Sequence, residues 1–189
     1  GKIEQIISIF NGDKSFPVSQ KKEITSQLPF LLKKYLKHHD YKEQTINDIF
    51  NYEDLKDAIE LDIKNCSTSI LWNNQTQKFS VEKLSSEAQI SPVYAVLLND
   101  FNNDDRVDII IGGNQFRAKP QTGIYAGGQG IVYENRDNKI FKILKSKQSG
   151  ILIKDEIRDI KEIEVGNKKH ILISMNNNRL RCYSVINEN

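Results

Sequence analysis

The sequence of 189 residues predicts a mainly β protein of antiparallel sheets with a helical segment near its N-terminus. Three observations carry this. Short runs rich in Val, Ile, Tyr and Phe recur from residue 69 to residue 186, separated by Asn- and Gly-rich turns. A helical period is confined to residues 22–60. Strands and helices do not alternate along the chain, so the connections are those of hairpins and not of βαβ units.

Taken in order, KIEQIISIF (2–10) is an apolar stretch followed by Asn11-Gly12, a hairpin-turn signal, and the start of the chain reads as a strand pair. Leu28, Leu31, Leu32, Tyr35 and Leu36 fall at i, i+3, i+4, i+7 and i+8, one stripe of an amphipathic helix, with Ser26 as its cap and Pro29 in the first turn. Ile46, Ile49 and Phe50 follow Thr45. Leu55, Ala58 and Ile59 follow Asn51, with Glu53 and Asp54 favouring a helix N-terminus there. The strands then run SILW (69–72), KFSVEKL (78–84), VYAVLL (93–98), VDIII (107–111), GIVYE (130–134), KIFKIL (139–144), EIRDIKEIEV (156–165), KHILIS (169–174) and RLRCYSVI (179–186).

Composition excludes several classes. Lys+Arg 27 against Asp+Glu 25 leaves a formal charge of +2, which argues against a generic nucleic-acid binder. No apolar run approaches the roughly 20 residues of a membrane helix, so no membrane insertion is expected. The chain begins at Gly1 and its only methionine is Met175, from which a processed or engineered start, and hence a fragment of something longer, is expected. Cys66 and Cys182 have no C-x-x-C or metal-ligand spacing, and whether they pair stays open.

One stretch carries chemistry. In VYAVLLNDFNNDDRVDIIIGG (93–113) two apolar strands flank a loop with Asp100, Asn102, Asp104, Asp105 and Asp108. Side chains at loop positions 1, 3, 5 and 9 and the main-chain carbonyl of Arg106 at position 7 are spaced to wrap a hard cation, since Ca²⁺ takes about 6 to 8 oxygens. Four carboxylates and one Arg so close together repel one another without a counter-ion. Position 6 is Asp105 where an EF-hand needs Gly, and position 12 is Ile111 where it needs Glu, so the loop is not an EF-hand. Two readings stay open: a calcium site with Asp100, Asn102, Asp104, Arg106 and Asp108 as its shell, or a polar hairpin turn.

The spacing D-x-N-x-D-x-x-x-D between strands resembles the calcium loop of FG-GAP or VCBS repeats, the blades of integrin-α-type β-propellers. Asp100 to Asp108 matches that loop at every ligand position, with Asn103 and Asp105 standing where the repeat has glycine. SQLPFLLKKYLKHHDYKEQTINDIF, SPVYAVLLNDFNNDDRVDIIIGGN with KPQTGIYAGGQG, and GILIKDEIRDIKEIEV resemble the C-terminal part of Bacteroidota VCBS-repeat proteins related to the ASPIC group. The resemblance implies antiparallel four-stranded blades of an incomplete β-propeller with an α-helical insertion near the N-terminus. It divides the chain into a strand or hairpin of a preceding blade (1–21), a helical insertion (22–62) and about two blades (63–189). It also implies bound Ca²⁺, an extracellular, cell-surface or periplasmic location, a cell-surface protein or glycan as partner, and no catalytic residues. Too short to close a ring, such a piece is expected to pair its open blade edges with a second copy.

Other features admit plainer readings. The loop 112–130 holds six of the ten glycines but lacks a G-K-[ST] ending, so a wide loop is the better reading, with Lys119, Gln121, Tyr125 and Gln129 as candidate ligand contacts. Lys21 to Lys42 contains six lysines and reads as a solvated helix face, with Lys33, Lys34 and Lys37 opposite the leucine stripe. Neither G-x-S-x-G nor H-E-x-x-H occurs. Asp155-Glu156 and Asp159-Glu162 are carboxylate pairs of the kind a glycosidase uses, yet 25 acidic residues produce such pairs by chance. The expected function is a non-catalytic calcium-binding module for protein or glycan binding. The alternative is a carbohydrate-binding or carbohydrate-processing module using loop 112–130.

Overall fold

A computed structural model describes residues 3–120, 122–137 and 140–185. The chain forms two compact units, Gly1–Lys64 and Asn65–Asn189.

In the first unit Ser8–Asn11 (β1) and Lys14–Pro17 (β2) form an antiparallel hairpin. Gly12 adopts the left-handed φ of +64° that its turn requires. The helical segment expected over 22–60 is a set of short pieces: Lys21–Gln27 (α1), a 3-10 turn at Pro29–Leu32, His38–Tyr41 (α2), Ile46–Ile49 (α3) and Tyr52–Leu55 (α4). Pro29 is the physical reason for the first break, because the residue before a proline is pushed out of the α region, and Leu28 sits at φ −123°, ψ 82°. Ser26, expected to cap the leucine stripe, lies inside α1, whose N-cap is Gln20, and the Pro29–Leu32 turn starts from Leu28. The Gln20 N–H donates to the Glu23 carboxylate, while the Ser26 hydroxyl donates back to the Lys22 carbonyl. Thr45 and Asn51 do cap α3 and α4, each accepting the N–H three residues on and having its own N–H bound by that residue's carboxylate.

Broken helices split the leucine stripe. Leu31 and Tyr35 are buried with Ile24, Ile49 and Phe50, whereas Leu32 and Leu36 are exposed. Lys34 is not on a purely solvated face; it donates to the carbonyls of Asp48 and Ile49 at the end of α3. The hairpin and the short helices, set apart in the sequence reading, share this unit.

The second unit is a stack of antiparallel sheets. Ser69–Asn73 (β3) pairs with Phe79–Lys83 (β4). Val93–Asn99 (β5), Asp108–Gly113 (β6), Ile131–Asp137 (β7) and Ile140–Leu144 (β8) form one four-stranded sheet in chain order. After a short helix at Ser146–Ser149 (α5), Ile157–Val165 (β9), Lys168–Met175 (β10) and Arg181–Ser184 (β11) make a three-stranded sheet. None of these sheets closes on itself.

β6 is buried along its whole length because both of its faces are covered. Ile110 joins Ala95 and Val132 against Ile157, Ile160, Ile171 and Ile173 of the three-stranded sheet. Ile109 and Ile111 turn the other way and join Tyr133, Ala88, Ile70 and Leu84. The alternation of a single strand thus serves two cores. Cys66 and Cys182 are both exposed free thiols, so the pairing that the sequence left open is not formed.

Candidate functional site

The loop from Asp100 to Val107 joins β5 to β6, and Asp108 is the first residue of β6. Its acidic side chains fold inward onto main-chain N–H groups. Asp100 accepts from Asp104 through Oδ1 at 3.1 Å and from Asp105 through Oδ2 at 2.9 Å. Asn102 Oδ1 accepts the same Asp104 N–H at 3.1 Å, and Asp104 Oδ1 accepts from Arg106 at 2.9 Å. Asn103 and Asp105 lie in the left-handed region at φ +58° and +63°, which aims the following N–H groups into the loop. Asn and Asp occupy that region more readily than other residues with a side chain.

Asp108 anchors the loop from below. It is 3% exposed, with Phe101 N–H donating to Oδ2 at 3.2 Å and Asn135 N–H donating to Oδ1 at 2.8 Å. Burial pushes its carboxyl above the ordinary carboxylate range against the pull of those two donors, and the charges of Asp104 and Asp100 act in the same upward direction. At Asp100 burial also raises, but the N–H groups of Asp104, Asp105, Asn103 and Asn102 together outweigh it and hold the carboxyl below the usual range. Two neighbouring carboxylates are thereby pushed apart.

Arg106 enters the loop through its side chain as well as its main chain. One guanidinium nitrogen donates to Asp104 Oδ2, and Nε donates to the Asn135 carbonyl at 2.8 Å. Asn135, on β7, was not singled out from the sequence. It lies 27 positions beyond Asp108 and only strand pairing brings it there. Its Nδ2 donates to the Val107 carbonyl at 3.2 Å, while its buried Oδ1 has no partner among the described residues.

Do these residues suit a cation? The donors at alternating positions are all oxygens, the chemistry of a hard divalent ion. Each Asp108 oxygen accepts one N–H, from Phe101 or Asn135, and keeps a second lone pair, while the Asp100 carboxylate is held by the N–H groups of Asp104, Asp105, Asn103 and Asn102. The orphaned Asn135 Oδ1 adds an acceptor beside the loop. In the arrangement seen, no three His, Cys, Asp or Glu side chains among the described residues gather as a ligand cluster. The donor chemistry is that of a hard cation.

The second candidate group is tied into its loop by main-chain bonds. The Lys119 carbonyl accepts the Thr122 N–H in a turn, Tyr125 is bridged to Gln115, and the Gln129 carbonyl accepts the Ile153 N–H at 2.8 Å. Gln121 lies outside the described residues. The carboxylate pairs are likewise engaged: Asp155 with Arg181 and Asn178, Asp159 with Lys161, Glu162 with Asn99.

Sequence reading missed a buried polar hub at the other end of β6. Asn114, 1% exposed at φ +89°, donates to the carbonyls of Gly128, Lys154 and Asp155 and accepts the Gly128 N–H. Arg158 donates to the Asn114 carbonyl and to Glu156, and stacks 4.3 Å over the Tyr94 ring. No spacing announces this hub, since its partners lie up to 44 residues apart.

No known protein family, curated protein or solved structure matches the chain.

Proposed function

We propose that the chain is a non-catalytic, calcium-binding β-propeller segment of the FG-GAP or VCBS kind, from a secreted or cell-surface protein, and that it serves protein or glycan binding. The observation that carries this reading is the Asp100–Asp108 loop. Oxygen donors occur at every second position, and left-handed residues stand at the two places where the repeat has glycine. The four-stranded β5–β8 meander, in chain order and with sheets against both faces, supports it as a blade. Side chains of Asp100, Asn102, Asp104 and Asp108 and the main-chain carbonyl of Arg106 would hold the ion. Bound there, Ca²⁺ neutralises the carboxylates and fixes the β5–β6 turn. The open sheet edges are the places for further blades or a second copy.

The test is thermal unfolding after chelation, with and without excess Ca²⁺, on the wild type, Asp104→Ala and Asp108→Asn. A ligand at about 100 times its dissociation constant stabilises the fold by about 2.7 kcal/mol. A calcium-dependent rise in the wild type that both variants lose supports the reading. No rise in the wild type leaves the loop a polar turn and removes the reading.

A further inference from the structure

We infer that Arg106 is a resident counter-ion of the Asp100–Asp108 loop and competes with the divalent cation for Asp104, so that this one side chain sets the loop's cation affinity. The inference rests on the calcium reading above and deepens it.

The loop carries Asp100, Asp104, Asp105 and Asp108, and Arg106 is the one basic residue between positions 100 and 108. Its guanidinium does not point away to solvent. Two contacts on different elements place it: the ion pair to Asp104 Oδ2 within the loop, and the 2.8 Å bond from Nε to the Asn135 carbonyl on β7. A planar guanidinium held at both of these points is pre-aimed at the carboxylate, which a flexible ammonium is not. Asp104 occupies loop position 5, a ligand position, and its Oδ2 is shared between Arg106 and Asn102 Nδ2.

Without a metal, Arg106 therefore offsets part of the repulsion among four carboxylates. A cation that takes Asp104 Oδ2, the oxygen Arg106 and Asn102 share, must displace this pair. The displaced guanidinium keeps its tie to Asn135, whose N–H holds Asp108 and whose Oδ1, unpartnered among the described residues, lies at the same junction. Cation binding and the Arg106–Asp104 pair are thus mutually exclusive at one oxygen. The side chains of Arg106 and Asp104 are 41% and 22% exposed, which puts the pair in the range of partly screened ion pairs worth up to about 1 kcal/mol. Removing it corresponds to a change in affinity of about two- to fivefold.

The experiment is calorimetric titration of the chelated full chain with Ca²⁺ alone, for the wild type, Arg106→Gln and Arg136→Gln, together with melting of each protein in chelator. Arg136 lies next to Asn135 and pairs with Glu134, not with the loop, so Arg136→Gln removes the same charge without removing the competitor. The expected result is a dissociation constant about two- to fivefold lower for Arg106→Gln and unchanged for Arg136→Gln. In chelator Arg106→Gln melts below the wild type, and excess Ca²⁺ brings the two melting points together. Equal affinity in wild type and Arg106→Gln, or the same tightening in Arg136→Gln, overturns the competition while leaving the calcium site standing. No binding by either the wild type or Arg106→Gln overturns the calcium reading itself and this inference with it.

Discussion

The main-chain N–H of Asn135 donates to Asp108 Oδ1 at 2.8 Å, joining the end of an acidic loop to β7, the strand that pairs with β6. The other Asp108 oxygen accepts from Phe101 inside the loop. One buried carboxylate therefore sets the position of the loop relative to β7, before any ion is considered.

Asp108→Ala is expected to destabilise the second unit by about 1 to 3 kcal/mol, because it leaves the Phe101 and Asn135 N–H groups without their acceptor. Asp108→Asn keeps one acceptor and is expected to cost less. Urea midpoints in chelator measure both; equal midpoints for wild type and Asp108→Ala would show that the bonds carry no net stability.

Glu156 gives a pH dependence with a definite sign. It is buried and accepts from Phe116 N–H at 2.7 Å, from Asn176 Nδ2 at 2.9 Å and from Arg158 at 2.9 Å. The Phe116 N–H first, then Asn176, hold its carboxyl below the ordinary glutamate value of 4.5 against the upward effect of burial, and Arg158 adds to the lowering. A depressed folded-state pKa contributes stability that is present above the unfolded value and is lost as pH falls through the folded one. Glu156→Gln is expected to lower the urea midpoint at neutral pH and to flatten its fall below about pH 4.5. If wild type and variant fall in parallel as the solution is acidified, the hub does not titrate as described.

Gly113 tests the close packing at the end of β6. A Cβ there would collide with the Pro92 carbonyl oxygen and carbon, both backbone, so no side-chain rotation relieves it. At Gly112 the same atom would meet only side-chain atoms, the terminal methyl of Ile157 at 2.5 Å, its Cγ2 at 2.9 Å and its Cβ at 3.0 Å, which can shift more readily than a backbone carbonyl. Gly113→Ala is expected to cost at least the roughly 1 to 3 kcal/mol of an overpacked core, and Gly112→Ala less. Thermal unfolding ranks them, and the reverse order would contradict the packing seen at β5 and β6.

The strands from residue 69 onward were legible from residue order alone, because each is a short β-branched or aromatic run ended by Asn or Gly, and those preferences act over a few residues. The Asn11-Gly12 turn and the Thr45 and Asn51 caps were legible for the same reason: each is a bond between groups at most three positions apart. The stripe from Leu28 to Leu36 misled because its spacing satisfies a 3.6 period while Pro29 holds Leu28 out of the α region, and only a 3-10 turn forms at Pro29–Leu32.

At the site, the oxygen spacing of Asp100, Asn102, Asp104 and Asp108 and the left-handed tolerance of Asn103 and Asp105 were properties of the sequence by itself. Tertiary structure alone decided that Asn135 closes the loop from β7, that Arg106 turns its guanidinium onto Asp104, and that Asn114, Glu156 and Arg158 form one buried hub. These contacts span up to 44 positions, a separation at which no local preference acts. Strand pairing and the stacking of sheets on both faces of β6 bring those groups within hydrogen-bond reach, and once they are buried each polar atom must find a partner or leave one wanting, as Asn135 Oδ1 does.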